Sequence, residues 1–272
     1  MAEMNGKKRL RGGNLLCLLA GLLIVIGFLL LPLIAVFAEA LRGGVYVALN
    51  SLSDPDALSA IRLTLLVTAI TVPINTLCGI AAAWVLSKFS FPGQKLLSML
   101  IDLPLSISPV VAGLVWILLF GTRGWWGETL QQHGIHIAFA TPGIVLATLF
   151  VTFPYVTRTI LPLMQSQGTE QEEAAVMLGA GFGTILRRIV VPDIGWALLS
   201  GVLLCTARAM GEFGAVSVIS GHIPGVSETM PVHIQTLYDG YQSVAAFAMA
   251  AVLALSSIAF LALRRLISVV NR

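Results

Sequence analysis

A chain of 272 residues with 57% apolar and only 11% charged side chains, and a mean hydropathy of +0.92, has too little polar surface to clothe a soluble globule of its size. That excludes a water-soluble enzyme and implies a membrane protein. The formal charge of +3 is no more than membrane topology requires, so it points to no nucleic-acid partner.

Crossing the hydrocarbon takes roughly 20 mostly apolar residues as a helix, with every backbone amide satisfied internally. Taken in chain order, stretches of that kind run over residues 14–38, 63–87, 103–122 and 137–157. The first follows Lys7, Lys8, Arg9 and Arg11, but it is too long for a signal peptide and no small-residue cleavage pattern closes it, so it is expected to be retained. A fifth stretch, 194–219, reaches spanning length only by including Arg208 and Glu212, and a sixth covers 242–263. The expectation is an all-α integral membrane protein: one transmembrane domain over 1–272 with six helices.

Lysine and arginine orient it. With the N-terminus in the cytoplasm, the inner segments hold Lys7, Lys8, Arg9, Arg11, Lys88, Lys95, Arg158, Arg187, Arg188, Arg264, Arg265 and Arg272, and the outer loops only Arg42, Arg62 and Arg123. Both termini are therefore expected in the cytoplasm.

Cys17, Cys78 and Cys205 fall singly in three different stretches and read as small packing residues. His133, His136, His222 and His233 fall in outer loops and read as solvated, so no metal site is expected. No GxxxxGK[ST] loop is present to cradle phosphates, nor HExxH or GxSxG, which argues against an ATPase or a membrane-embedded enzyme.

The long inner connection from Arg158 to Asp193 reads as structured. Thr169 followed by Glu172 suggests a capping box opening a helix at Thr169, with Glu170, Glu172 and Glu173 at the positive end of its dipole. Ala174, Ala175, Met177 and Leu178 give it a short apolar face, and Gly179 and Gly181 turn the chain. Thr184 then caps a second short helix, Ile185 to Val190, which Pro192 ends. Such a hairpin either merely joins two spans or docks on another protein.

The pattern Glu173-Ala174-Ala175, three residues, Gly179, nine residues, Ile189-Val190-Val191-Pro192 resembles the EAA loop of ABC importer permeases, departing from it only in Val191, where the family has Leu. The resemblance implies a type I ABC importer permease fold in which 169–192 is the coupling loop that sits in a cleft of a cytoplasmic ATPase. The contacts would fall on Glu172, Glu173, Ala174, Ala175, Leu178, Gly179, Ile189 and Pro192.

Further stretches narrow it. TARAMGEFGAVSVISG (206–221), FVTFPYVTRTILPLMQSQG (150–168), LSISPVVAGLVW (105–116) and FSFPGQKLL (89–97) look like the W-type permeases of sulfate/thiosulfate importers. The resemblance implies alternating access in a bacterial plasma (inner) membrane. It also implies a heterodimer with a T-type permease, two ATPase subunits that hold ATP and Mg, and a periplasmic or extracellular sulfate-binding protein. This chain itself would hold no cofactor. Molybdate and tungstate permeases share a similar ARxxGEFGA segment, so that anion class stays open, as does, more distantly, a passive channel or a membrane-embedded enzyme.

Arg208 and Glu212, four residues apart, would share a helical face and pair inside the fifth span, away from lipid. The pair is either a packing clamp or a neighbour of the anion route. Ser106 and Ser108, beside Pro104 and Pro109 where a broken helix would free amides, could line that route, as could Ser217 and Ser220. Trp125 and Trp126 read as interfacial anchors.

Overall fold

The structure, a computed structural model, describes residues 12–270, with side chains over 18–266. Lys7, Lys8, Arg9, Arg11, Arg272 and the side chain of Cys17 lie outside the described residues. Among the described residues every regular element is helical.

The first stretch is α1 (Gly12–Ala40), followed by a short α2 (Val45–Leu52). Helix α3 (Pro55–Lys88) starts well before residue 63 and takes Arg62 into its first turns. Its start is set by a cap, not by apolarity: the Asp54 carboxylate accepts from the Asp56 amide at 2.9 Å and Pro55 sits in the first turn, where its missing N–H costs nothing.

Over 103–122 the chain is not one rod. Helix α4 (Gln94–Ser106) and α5 (Pro109–Phe120) are bent by 106° at Ile107 and Ser108, both extended. Pro109 forces the break, because its ring disfavours helical backbone in the residue before it. Five described helices are long and apolar enough to cross a membrane, or six if this bent pair counts as one.

A short α6 (Gly127–Gln132) leads to α7 (Thr141–Gln167), which runs ten residues beyond 157. Arg158 therefore lies inside a helix, paired with Asp102 of α4, and the connection that follows begins at Gly168. After it come α8 (Glu170–Met177), α9 (Phe182–Ile185), α10 (Val191–Met210), α11 (Gly214–Ser220), α12 (Met230–Asp239) and α13 (Ser243–Val270). The stretch 194–219 is thus also interrupted, between Met210 and Gly214, and Arg264 and Arg265 lie within α13.

Helices α3 and α7 form the centre, with α10 against both; α13 packs on α10, α12 and α1, and α11 fits between α5 and α7. The central contact buries hydroxyls without orphaning most of them. Thr64, Thr68, Thr148 and Thr152 each donate to the carbonyl one turn back, at 2.6 to 2.8 Å. Asn75 Nδ2 then bridges to Thr152 Oγ1 at 2.7 Å.

The two helices come close at Gly79, where an added Cβ would stand 2.9 Å from the Val156 side chain and 3.3 Å from the Thr157 amide. Gly79→Leu is accordingly expected to force α3 from α7 and lower stability by about 1–3 kcal/mol, read as an earlier melting transition in detergent.

Candidate functional site

The hairpin after α7 is built differently at its two ends. Three glutamates occupy the first turn of α8, as the helix dipole favours. The capping box between Thr169 and Glu172 does not form: the Thr169 hydroxyl donates to Glu173 at 2.6 Å, and Glu172 pairs instead with Lys88, the last residue of α3, at 2.7 Å. A full opposite charge from another element outcompetes a local amide for the carboxylate. The C-terminal end follows the glycine signal. Gly179 (φ +83°) donates its amide to Val176 O and Ala180 to Ala175 O, the paired bonds of a Schellman turn.

The second half of the hairpin differs from the sequence reading. Thr184 caps nothing; Gly181 precedes α9, and the helix does not stop at Pro192. Helix α9 passes through a wide π turn, Leu186–Val190, straight into α10, giving 29 helical residues from Phe182 to Met210. The widening accommodates the ring of Pro192, which would otherwise press on the carbonyl one turn back.

The expected docking residues separate into two sets. Met177 and Leu178 are each 88% exposed, and Glu173, Ala174, Gly179 and Pro192 are exposed with them. Ala175 and Ile189 turn inward, against a core that includes Ile160, Met164, Ile185 and Ile194, and Glu172 is half-buried. Beside α8, Trp84 and Phe182 stack with centroids 4.9 Å apart. They line a largely apolar groove of about 600 Å³ with Phe89, Val176, Met177 and Ile185.

The two helix breaks meet at α5 and α11: a Cβ on Gly113 would sit 2.7 Å from Ala215 O. Arg208 and Glu212 do pair, Nη1 to Oε2 at 2.6 Å, but they do not share a helix. α10 ends at Met210, and Glu212 lies in the break, where its Oε1 accepts the Ala215 amide at 3.1 Å and so caps α11. Helix α10 closes at Gly211, a break that the i, i+4 spacing of Arg208 and Glu212 does not reveal. The Glu212 side chain is buried, that of Arg208 30% exposed.

Ser106 and Ser108 are exposed at the α4–α5 break, and Ser108 precedes α5 without a side-chain capping bond. Ser217 is half-buried and donates to Gly214 O at 3.1 Å. Ser220 does not face an open route: it is fully buried, its hydroxyl accepting the His222 amide and its carbonyl accepting Ser227 Oγ.

At the opposite end of the bundle, residues 227–233 are folded inward, between exposed residues 222–226 and 238–241. His233, read as a solvated loop residue, is buried on α12 with Nδ1 2.8 Å from Glu228 Oε2, while Thr236 donates to Glu228 Oε1 at 2.6 Å. Thr64 of α3 accepts the Met230 amide at 2.8 Å. The helix start was visible as Thr229 with Pro231 in the first turn; the carboxylate that makes burial of a histidine affordable lies outside that signal. His133, His136 and His222 are exposed. Trp125 and Trp126 are exposed too, Trp126 packing on Phe120.

Residues 75–268, which include the hairpin and both breaks, match the model of the "Binding-protein-dependent transport system inner membrane component" family. The chain belongs to that family. The chain is 44% identical to the sulfate transport system permease protein CysW of Escherichia coli K12, over 98% of its own length and 94% of that protein's. It is 46% identical to the CysW of Synechocystis, covering 98% and 96%, and 35% identical to the sulfate transport system permease protein CysT of Salmonella typhimurium, covering 93% and 92%. In fold it resembles a chain of a bacterial alginate ABC transporter solved with an alginate-loaded periplasmic protein: TM-score 0.76, 16% identity, 92% of each chain covered. The EAA-like hairpin therefore lies within the region that matches the family.

Proposed function

We propose that this chain is the W-type permease subunit of an ATP-driven importer of sulfate or thiosulfate. The observation that carries the reading is the identity of 44–46% with two CysW proteins across nearly the whole chain. In this reading the chain crosses a bacterial inner membrane six times, with bent α4–α5 counted as one crossing, and both termini and the α8 hairpin face the cytoplasm; the lysine and arginine distribution supports that orientation.

A T-type permease completes the pathway, a binding protein delivers the anion from outside, and two ATPase subunits hold ATP and Mg. Helix α8 seats in the ATPase and moves with it, so that ATP binding turns the two permeases outward and release of hydrolysis products returns them. The exposed apolar pair Met177 and Leu178, held on a helix end fixed by the Gly179 turn, is what supports docking at that point.

The test is uptake of labelled sulfate by vesicles carrying the reconstituted complex, with and without excess molybdate. Sulfate uptake that depends on ATP and on the binding protein, and that resists molybdate, is the expected result. Hydrolysis stimulated by molybdate and not by sulfate would overturn the anion; uptake without any ATPase would overturn the class.

A further inference from the structure

A push on α8 reaches the bundle only through something stiff. The covalent link is not: α8 is joined to α7 through Gly168 and Thr169 alone, and Gly168 has a left-handed φ of +69°. At that end of α8, Lys88 adds the stiffness that the packing of Ala175 and Ala180 on the core gives further along. Its Nζ lies 2.7 Å from Glu172 Oε1 on α8 and also donates to the carbonyl of Gly168, the residue that ends α7. One ammonium thus joins the end of α3, the end of α7 and the first turn of α8.

The joint is shielded, with the Lys88 and Glu172 side chains 6% and 17% exposed, whereas Lys95, Arg187 and Arg188 at the same end lie in solvent. A lysine shielded at the edge of the groove and held between two fixed acceptors transmits a displacement that a fully solvated, mobile one would absorb.

What lies beyond the joint matches such a role. Helix α3 is 34 residues of continuous helix, about 50 Å long. It is locked to α7 at Gly79, and its far end holds α12 through Thr64 and the Met230 amide. Two residues before Lys88, the Leu86 carbonyl accepts Gln94 Nε2, the first residue of α4, at 2.8 Å; α4 ends at the break beside Ser106 and Ser108.

We propose that Lys88 is the positioning residue through which movement of α8 is passed to α3 and α7. It rests on the reading of α8 as the coupling helix, but Lys88 and Glu172 do not dock the ATPase; they keep α8 from rocking on its link.

The readout is sulfate imported per ATP hydrolysed by the reconstituted complex, together with ATPase retained on purification. Lys88→Gln and Glu172→Gln are each expected to keep the ATPase bound while import per ATP falls at least about fivefold. The double substitution is expected to be no worse than the worse single, since both singles break the same joint. Lys88→Arg, which keeps the charge and the donors, is expected to stay close to wild type.

Unchanged import per ATP in either single variant overturns the proposal, and so do losses that multiply in the double. Loss of the ATPase from Glu172→Gln, which alters only a half-buried helix residue, also overturns it, by making Glu172 a docking residue. Leu178→Asp serves as the control: if it leaves the ATPase bound and import intact, the coupling reading itself has failed. If it releases the ATPase while the Lys88 and Glu172 variants behave as wild type, only this inference has failed.

Discussion

Leu178→Asp is expected to leave the chain folded and inserted while ATP-driven uptake collapses and the ATPase no longer co-purifies. Leu178 has almost nothing to lose in the isolated subunit: it is 88% exposed, and the turn that follows is closed by backbone bonds from Gly179 and Ala180, which the substitution does not touch. Its cost falls entirely on the complex. A carboxylate placed where an apolar side chain was buried by a partner is desolvated without a hydrogen-bond donor, and loss of a central anchor of this kind costs at least about 2 kcal/mol, or roughly 30-fold in affinity.

Gly179→Asp should look similar but reads less cleanly. No atom lies within 4 Å of an added Cβ, yet φ of +83° sets a strain of about 1–2 kcal/mol for most residues, less for Asp, so turn and docking suffer together. Co-purification of ATPase with inserted Leu178→Asp, at wild-type yield and uptake, would sink the coupling role of α8.

The parts of this molecule that local chemistry decides were legible in its sequence. The glycine turn at Gly179, the acidic first turn of α8 and the break before Pro109 each depend on a few neighbouring residues, and each stands where the residues put it. Where a distant group competes, local reading loses. Thr169 and Glu172 have the spacing of a capping box, but Lys88, 84 positions away, takes the carboxylate. His233 follows a helix-start signal, and only Glu228 folded against it explains its burial.

Helix boundaries fail for a third reason: an apolar stretch marks what must lie in hydrocarbon, whereas α3 begins at a cap and α7 continues to Gln167. Pro192 is the subtlest case. A proline at that point normally ends a helix, and it does not here because the preceding turn widens, a tertiary accommodation that no residue in 185–192 announces.

The Arg208–Glu212 pair yields the last expected result, which is an unequal pair of single variants. Had both residues shared one helical face, removing either would leave a comparable lone charge. The geometry breaks that symmetry: the Glu212 side chain is 1% exposed and that of Arg208 30%. Arg208→Ala strands a fully buried carboxylate that keeps the Ala215 amide as its hydrogen-bond donor, and removal of one member of a buried pair costs about 3–5 kcal/mol.

Glu212→Ala leaves behind a cation that can still reach solvent, and adds the loss of a helix cap, worth about 1 kcal/mol. Arg208→Ala is therefore expected to be the more damaging single, by stability in detergent and by yield, and the double variant to be close to Glu212→Ala alone. Reversal of that order would mean that Arg208, not Glu212, is the desolvated partner. A double variant that is fully stable yet cannot move sulfate would show that the pair takes part in transport and is more than a packing clamp.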